Sequence, residues 1–313
     1  MGNEEIEKKR KEKCMKYFKL KQGLENSTYL TAENYEMKLK ELPREEQKKY
    51  SENKEDNSGK RYFAICPACD NPTQIIGLYS KSDNNNLPYA KHYNRDTKIA
   101  KHDERAYTYC PFASHSYSVN KSSRRENFTD FEKKIYLLAR DNFDIAVYIA
   151  KRETGICFSK NKIRELARSY YESEAFMYYH ATPYNIPWMF LYFSEPISCY
   201  GLIIQKDSIV YKYLKTREEK DVRFEKIGDD KVKVLNVPGK RLDLIISFLH
   251  HKIREEKEVL KMGFALPNQW QKFVELEIDP TAFLGIANHR KYPANEEIIS
   301  IGKKEMPIFW EEE

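Results

Sequence analysis

The feature that most constrains this chain is Cys66-Pro67-Ala68-Cys69, followed by Asp70-Asn71-Pro72. Two thiolates separated by two residues converge on one cation from a tight turn, and a proline inside the turn stiffens it. The residue after the second cysteine needs a left-handed backbone. Asp and Asn tolerate that region, and Asp70 and Asn71 stand there. Extended runs at 62–65 and 74–79 make the turn the tip of a hairpin. A structural zinc takes four ligands. Cys110, in Tyr109-Cys110-Pro111-Phe112, supplies the third. The fourth is a choice among three histidines. His92 sits in Pro88-Tyr89-Ala90-Lys91-His92-Tyr93, where a proline and two aromatics would order the loop and shield a site. His115 stands at Cys-x4-His spacing from Cys110, and His102 lies between the two. The order of preference is His92, His115, His102. A redox pair would open a helix in a βαβ setting, whereas this one lies between strands. Three thiolates and one imidazole suit Zn2+ by softness, and by closing the coordination sphere they point to a structural role.

The block Cys66-Pro67-x-Cys69-x-Asn71-Pro72-x-Gln74-Ile75-Ile76-Gly77-Leu78-Tyr79, then Pro88-Tyr89 with His92-Tyr93, then Tyr109-Cys110-Pro111, resembles a group of uncharacterised bacterial zinc-module proteins. The resemblance is strongest over residues 61–117. It implies a bacterial or mobile-element origin and His92 as a ligand. It implies no activity.

Composition sets wide bounds around this module. At 313 residues two or three domains are expected, and 41% hydrophobic residues are enough to build cores. The chain carries 54 Lys and Arg against 48 Asp and Glu, a net charge of +6, which permits contact with nucleic acid without demanding it. Gly2 would suit myristoylation, but Ile6 stands where Ser or Thr is wanted. No apolar run is long enough to span a membrane and the N-terminus has no apolar signal region, so a cytoplasmic protein is expected. Six cysteines are too few for a disulfide scaffold.

The fold expected is α+β, in three parts. Residues 1–60 form a peripheral helical arm of two helices, 3–24 and 32–56, the second capped by Thr31, and the arm docks on the body or on a protein partner. Residues 61–120 form a zinc ribbon-like module, with a polar loop at 81–86. Residues 121–313 form a mixed domain of helices and antiparallel strands. In that last part Thr129 and Glu132 have capping-box spacing for a helix over 129–153 that stops at Gly155, and another helix follows Ser159. Strands are expected at 188–193, 200–204, 209–214, 232–237 and 273–278, and an amphipathic helix over 241–261.

Other residues carry weaker signals. Cys14, Cys157 and Cys199 read as isolated thiols, and His250-His251 as part of a solvated helix surface. Glu275, Glu277 and Asp279 alternate, so they share one strand face, which a solvated sheet explains as well as a metal-dependent nuclease would. No phosphate-binding glycine loop and no nucleophile elbow is present. Arg124, Arg125 and Arg164, with tyrosines interleaved nearby, suit phosphate contact and base stacking. The function expected is therefore that of an intracellular zinc-binding protein associated with DNA or RNA. A protein–protein adaptor or regulatory subunit is the alternative, and a cryptic nuclease the third reading.

Overall fold

The computed structural model describes residues 15–54, 59–79, 87–113, 119–254, 257–291 and 293–311. The expectations for Gly2, Cys14, His115, the loop at 81–86 and the start of a helix over 3–24 lie outside those residues. Mixed helices and antiparallel sheets are present, as an α+β chain requires. Among the described residues no helix is long and apolar enough to cross a membrane.

The N-terminal part is not the helical arm expected from its Lys and Glu content. Residues from Met15 form a two-stranded ribbon, β1 (Tyr17–Phe18) and β2 (Thr28–Tyr29). Met15 exchanges backbone hydrogen bonds with Ala90, and Lys19 with Ile65. Met15, Phe18, Leu20 and Leu30 are buried, so the ribbon is part of the core. Helix α1 (Ala32–Lys40) starts where expected, with the Thr31 side chain accepting from the Asn34 amide. It ends early because Pro43 disfavours helix in the residue before it. A short α2 (Arg44–Gln47) and strand β3 (Ser51–Asn53) follow. Then come β4 (Lys60–Ile65), β5 (Pro72–Ile76) and β6 (Tyr89–His92), which make a sheet in the order β3-β4-β5-β6, and the single-turn helix α3 (Glu104–Thr108).

The next part is a helical layer. The capping box is formed, but the helix expected over 129–153 breaks at Asn142 into α4 (Asp130–Asp141) and α5 (Phe143–Thr154). Gly155 ends α5 at φ 76°, and a Cβ there would also sit 2.0 Å from the Ser208 Cβ, so two separate constraints demand glycine. After β7 (Ile156–Cys157), α6 (Lys160–Glu172) is capped by Ser159. Residues 188–193 are not a strand but α7 (Ile186–Tyr192), with Pro187 in its first turn. All seven of its residues are buried, which erases the periodicity that separates a buried helix from a buried strand.

Strands β8 (Ile197–Ser198) and β9 (Ile203–Gln205) precede α8 (Ile209–Lys215), a helix capped by Ser208 where a strand was expected. Strands β10 (Val222–Ile227) and β11 (Lys231–Asn236) join β9 and β7 in the order β10-β11-β9-β7. The helix expected over 241–261 is instead a hairpin of β12 (Ile245–Arg254) and β13 (Lys257–Leu266). Ile246 and Phe248 face the core while Ile245, Ser247 and Leu249 are half-buried on the opposite face. Apolar residues on both faces imitate a helical period. With β14 (Gln269–Glu277) the sheet order is β14-β13-β12-β8, and α9 (Ala282–Asn288) and α10 (Glu296–Glu305) complete the chain. Buried apolar side chains from Met15 to Met306 form one continuous cluster.

Glu132 does more than cap α4. It is buried, accepts from the Thr129 amide and hydroxyl, and pairs with the buried Arg125 at 3.1 Å. Burial raises its carboxyl pKa, but the Thr129 hydroxyl and Arg125 outweigh that and hold it below the usual carboxylate range. A depressed folded pKa gives stability that is present above the unfolded value of about 4.3 and is lost as pH falls through the folded value. Glu132→Gln should therefore cost about 1.5–3 kcal/mol at pH 7, with the difference from wild type shrinking toward pH 3. Urea denaturation at the two pH values measures this, and an equal cost at both would contradict it.

Candidate metal centre

The hairpin β4–β5 places the first two thiols. Between its strands, Cys66 donates its amide to the Asn71 carbonyl at 2.8 Å, and the Asp70 amide donates to the Cys66 carbonyl at 3.1 Å. Asp70 takes φ 60°, the left-handed conformation expected at this position. Its carboxylate pairs with the buried Lys19 and accepts from the Gly23 amide at 2.9 Å, which staples the knuckle to the N-terminal ribbon. The third donor comes from the register of β5 with β6, which sets His92 opposite Thr73. The fourth comes from a helical turn: Cys110 follows α3 and donates its amide to the Tyr107 carbonyl at 3.0 Å. The site thus combines one strand knuckle, one neighbouring strand and one helix end. The second knuckle of a zinc ribbon is not seen among the described residues.

The Cys66, Cys69, Cys110 and His92 donor atoms all lie within 4.8 Å of one another. Among the described residues this is the one such group of His, Cys, Asp or Glu side chains. The spacing fits a metal. A tetrahedron with Zn–S of about 2.3 Å and Zn–N of about 2.05 Å has S–S edges of about 3.8 Å and S–N edges of about 3.6 Å. The Cys66 and Cys110 sulfurs are 3.7 Å apart, and the Cys69 sulfur is 3.3 Å from His92 Nε2. All three cysteines are buried, and the His92 ring meets the edge-on Tyr107 ring at 4.9 Å. Burial pushes the Cys66 and Cys110 thiols well above their ordinary range. Burial also acts to raise Cys69, but hydrogen bonds from Cys110 and Cys66 and the neighbouring His92 outweigh it and leave this thiol well below its ordinary range. Buried soft donors of this kind match what a d10 cation takes.

Asn71 is the residue that reading the sequence missed, having been noted only for its backbone. Its Nδ2 donates to the Cys69 sulfur at 3.4 Å and to the Asp103 carbonyl at 3.0 Å, while its Oδ1 accepts from the Asp103 amide at 2.7 Å. Asp103 in turn caps α3, accepting from the Ala106 amide. Asn71 therefore fixes the distance between the knuckle and the helix that delivers Cys110. Asn71→Ala should weaken metal binding about 10–100-fold, the usual scale for a partner that orients a ligand. A competition titration with a chromogenic chelator would read this, and unchanged affinity would remove the role.

The other candidates fall elsewhere. His102 is outside the cluster, with Nε2 3.0 Å from Glu104 Oε2. Cys157 is half-buried on β7, and Cys199 is buried with its thiol pushed up to about 12. His250-His251 is not a solvated helix surface: a bulge in β12 turns His251 into the core. There Nε2 donates to Glu258 at 2.7 Å, and Glu258 also accepts from Asn185 Nδ2 at 2.7 Å and from the Tyr184 hydroxyl. Glu275 and Glu277 pair with Arg254 and Lys257, and Asp279 accepts from the Thr281 amide, so these carboxylates have partners and do not gather into a metal group.

The three arginines do not form one patch. Arg125 is only 4% exposed, pairs with Glu132 and donates to the Tyr179 and Ala181 carbonyls, which withdraws it from any phosphate-facing surface in this fold. Arg124 donates to the Lys121 and Ser173 carbonyls and lies over the Phe193 ring. Arg164 is exposed on α6 beside Asn161. No family model, no curated protein and no solved structure matches this chain, so the geometry of its own residues is what bears on its function.

Proposed function

We propose that the chain binds one Zn2+ through Cys66, Cys69, His92 and Cys110, and that the zinc stabilises a protein associated with nucleic acid. The observation that carries the zinc reading is the match of the sulfur–sulfur and sulfur–nitrogen separations to a tetrahedral site. Four protein donors leave no open position, so the ion holds the knuckle, β6 and α3 together and does not activate a substrate. Elemental analysis should find about one zinc per chain. Reconstituted protein without bound metal would remove the reading. His92→Ala should release more metal than His115→Ala; the reverse order would make His115 the fourth ligand.

Nucleic-acid association is supported by the excess of basic residues and by aromatic rings left on the surface. The test is binding to single- and double-stranded DNA and RNA across salt concentrations, since phosphate contacts weaken steeply as salt rises. If the wild type binds none of them at low salt, the adaptor reading replaces this one.

A further inference from the structure

We infer that the outer face of the sheet β14-β13-β12-β8 is a stacking platform for single-stranded nucleic acid; this rests on the nucleic-acid reading above and gives it a surface. Trp270 pairs with Ala265, Ala265 with Ile245, and Ile245 with Ser198, so these four side chains form one row across the sheet. Phe273, Gly263 and Ser247 form the next row, and Glu275, Lys261 and Leu249 the one after. Residues three apart on a strand would face opposite ways. A register shift in β14 adds one residue between Trp270 and Phe273 and brings both rings to the same face. Their centroids are 5.2 Å apart.

The rings lie low on the sheet because the row beneath them has no side chain. A Cβ on Gly263 would sit 2.6 Å from the Trp270 ring and 3.0 Å from Phe273. Both residues reach solvent: Trp270 is 46% and Phe273 39% exposed. At the other edge of the same face, just beyond Ser198, Tyr200 is 57% exposed. It lines a shallow groove of about 610 Å3 with Ser198, Ile245, Lys240 and Arg241. Aromatic rings thus flank a floor of Ala265, Gly263, Ser247 and Ile245, and the sheet is three strand spacings, about 14 Å, across.

Charge on this face favours an anion. Lys261 holds its ammonium 4.0 Å over the Phe273 ring. Lys240 donates to the Lys220 carbonyl and not to a carboxylate. The acids Asp243, Glu275 and Glu277 are matched by Arg241, Arg254 and Lys257. Lys261 thus covers part of the Phe273 ring and Lys240 lines the groove with Tyr200, while the Trp270 and Tyr200 rings are the more open faces. Bases stack on such faces whatever their sequence, while lysines follow the phosphates. Duplex DNA hides its base faces and is a poorer fit.

The test uses full-length, zinc-loaded protein and a fluorescein-labelled oligothymidylate of 15 nucleotides, roughly the reach of one such binding fold. Wild type should bind it, more weakly as salt rises, and at least about tenfold more tightly than a duplex of the same length. Trp270→Ala with Phe273→Ala should weaken binding by roughly 100-fold, about tenfold per ring, with zinc content unchanged because both rings lie outside the metal-ligating group. Trp270→Phe should retain most of the affinity. Lys261→Gln keeps both rings and should still weaken binding several-fold with a shallower salt dependence, which decides the matter if the double variant fails to fold. If the wild type binds the probe and these variants bind it equally well, this surface is wrong while the broader reading stands. If the wild type binds neither the probe nor an oligouridylate at low salt, the platform is overturned, and the nucleic-acid reading falls with it when duplexes are not bound either.

Discussion

Cys69→Ser should strip the metal and unfold the layer built on β4, β5, β6 and α3, leaving a chain that proteases cut between residues 59 and 113. The expected loss is large because the binding free energy of a structural zinc, about 10–16 kcal/mol at pH 7, is also folding free energy when the pocket does not form alone. That exceeds or equals the whole stability of an ordinary domain, about 5–15 kcal/mol. This layer has reason to depend on the ion. Its strands are short, and the turn holds an Asp in a left-handed conformation. A strong chelator should have the same effect on wild type, and so should acid, since protons compete with the metal for thiolate and imidazole. Metal content and limited proteolysis measured together provide the check. Full zinc and an unchanged cleavage pattern in Cys69→Ser would rule out this site.

Glu258→Ala should destabilise the fold by about 3–5 kcal/mol, because three buried donors lose their acceptor at about 1–3 kcal/mol each. The substitution strands His251 Nε2, the Asn185 amide and the Tyr184 hydroxyl in one place. His251 Nδ1 already accepts from the Tyr178 hydroxyl at 3.3 Å, so its ring has little freedom to turn toward another acceptor. Burial and the Glu258 charge push the Tyr184 hydroxyl well above its ordinary range, which keeps it a donor. Glu275→Ala provides the contrast, because its ion pair with Arg254 is exposed and should be worth at most about 1 kcal/mol. Urea denaturation of the two variants side by side would show the difference, and equal costs would mean that the buried network is not acting as a unit.

The metal centre was far more legible than the fold around it, for a physical reason. Cys66, Cys69 and Cys110 carry chemistry in the residue type itself, and the knuckle spacing is local. The caps at Thr31, Thr129 and Ser159 were legible for the same reason, since a side chain three residues from an amide needs no tertiary context. What failed was periodicity where burial is complete or two-sided. Ile186–Tyr192 buries every side chain and so reads as a strand. The β12–β13 hairpin carries Ile245 and Leu249 outside the core row and so reads as a helix. Polar residues were misjudged when their partner was distant in sequence. Arg125 looks like a surface cation until Ala181 and Glu132 enclose it, and His251 looks solvated until a bulge turns it inward.

The sulfurs of Cys66 and Cys110 are 44 residues apart, so an ion held between them closes a long loop as the chain folds. Closing a loop becomes harder only with the logarithm of its length, by about 0.6 kcal/mol for each doubling. The connections between the donors, from Ile76 to Tyr89 and from His92 to Glu104, are therefore free to lengthen or shorten at little cost. Kin of this chain should differ in length at those two joints while the intervals inside the knuckle and from Asp103 to Cys110 stay fixed, because there the spacing itself is the geometry of the site.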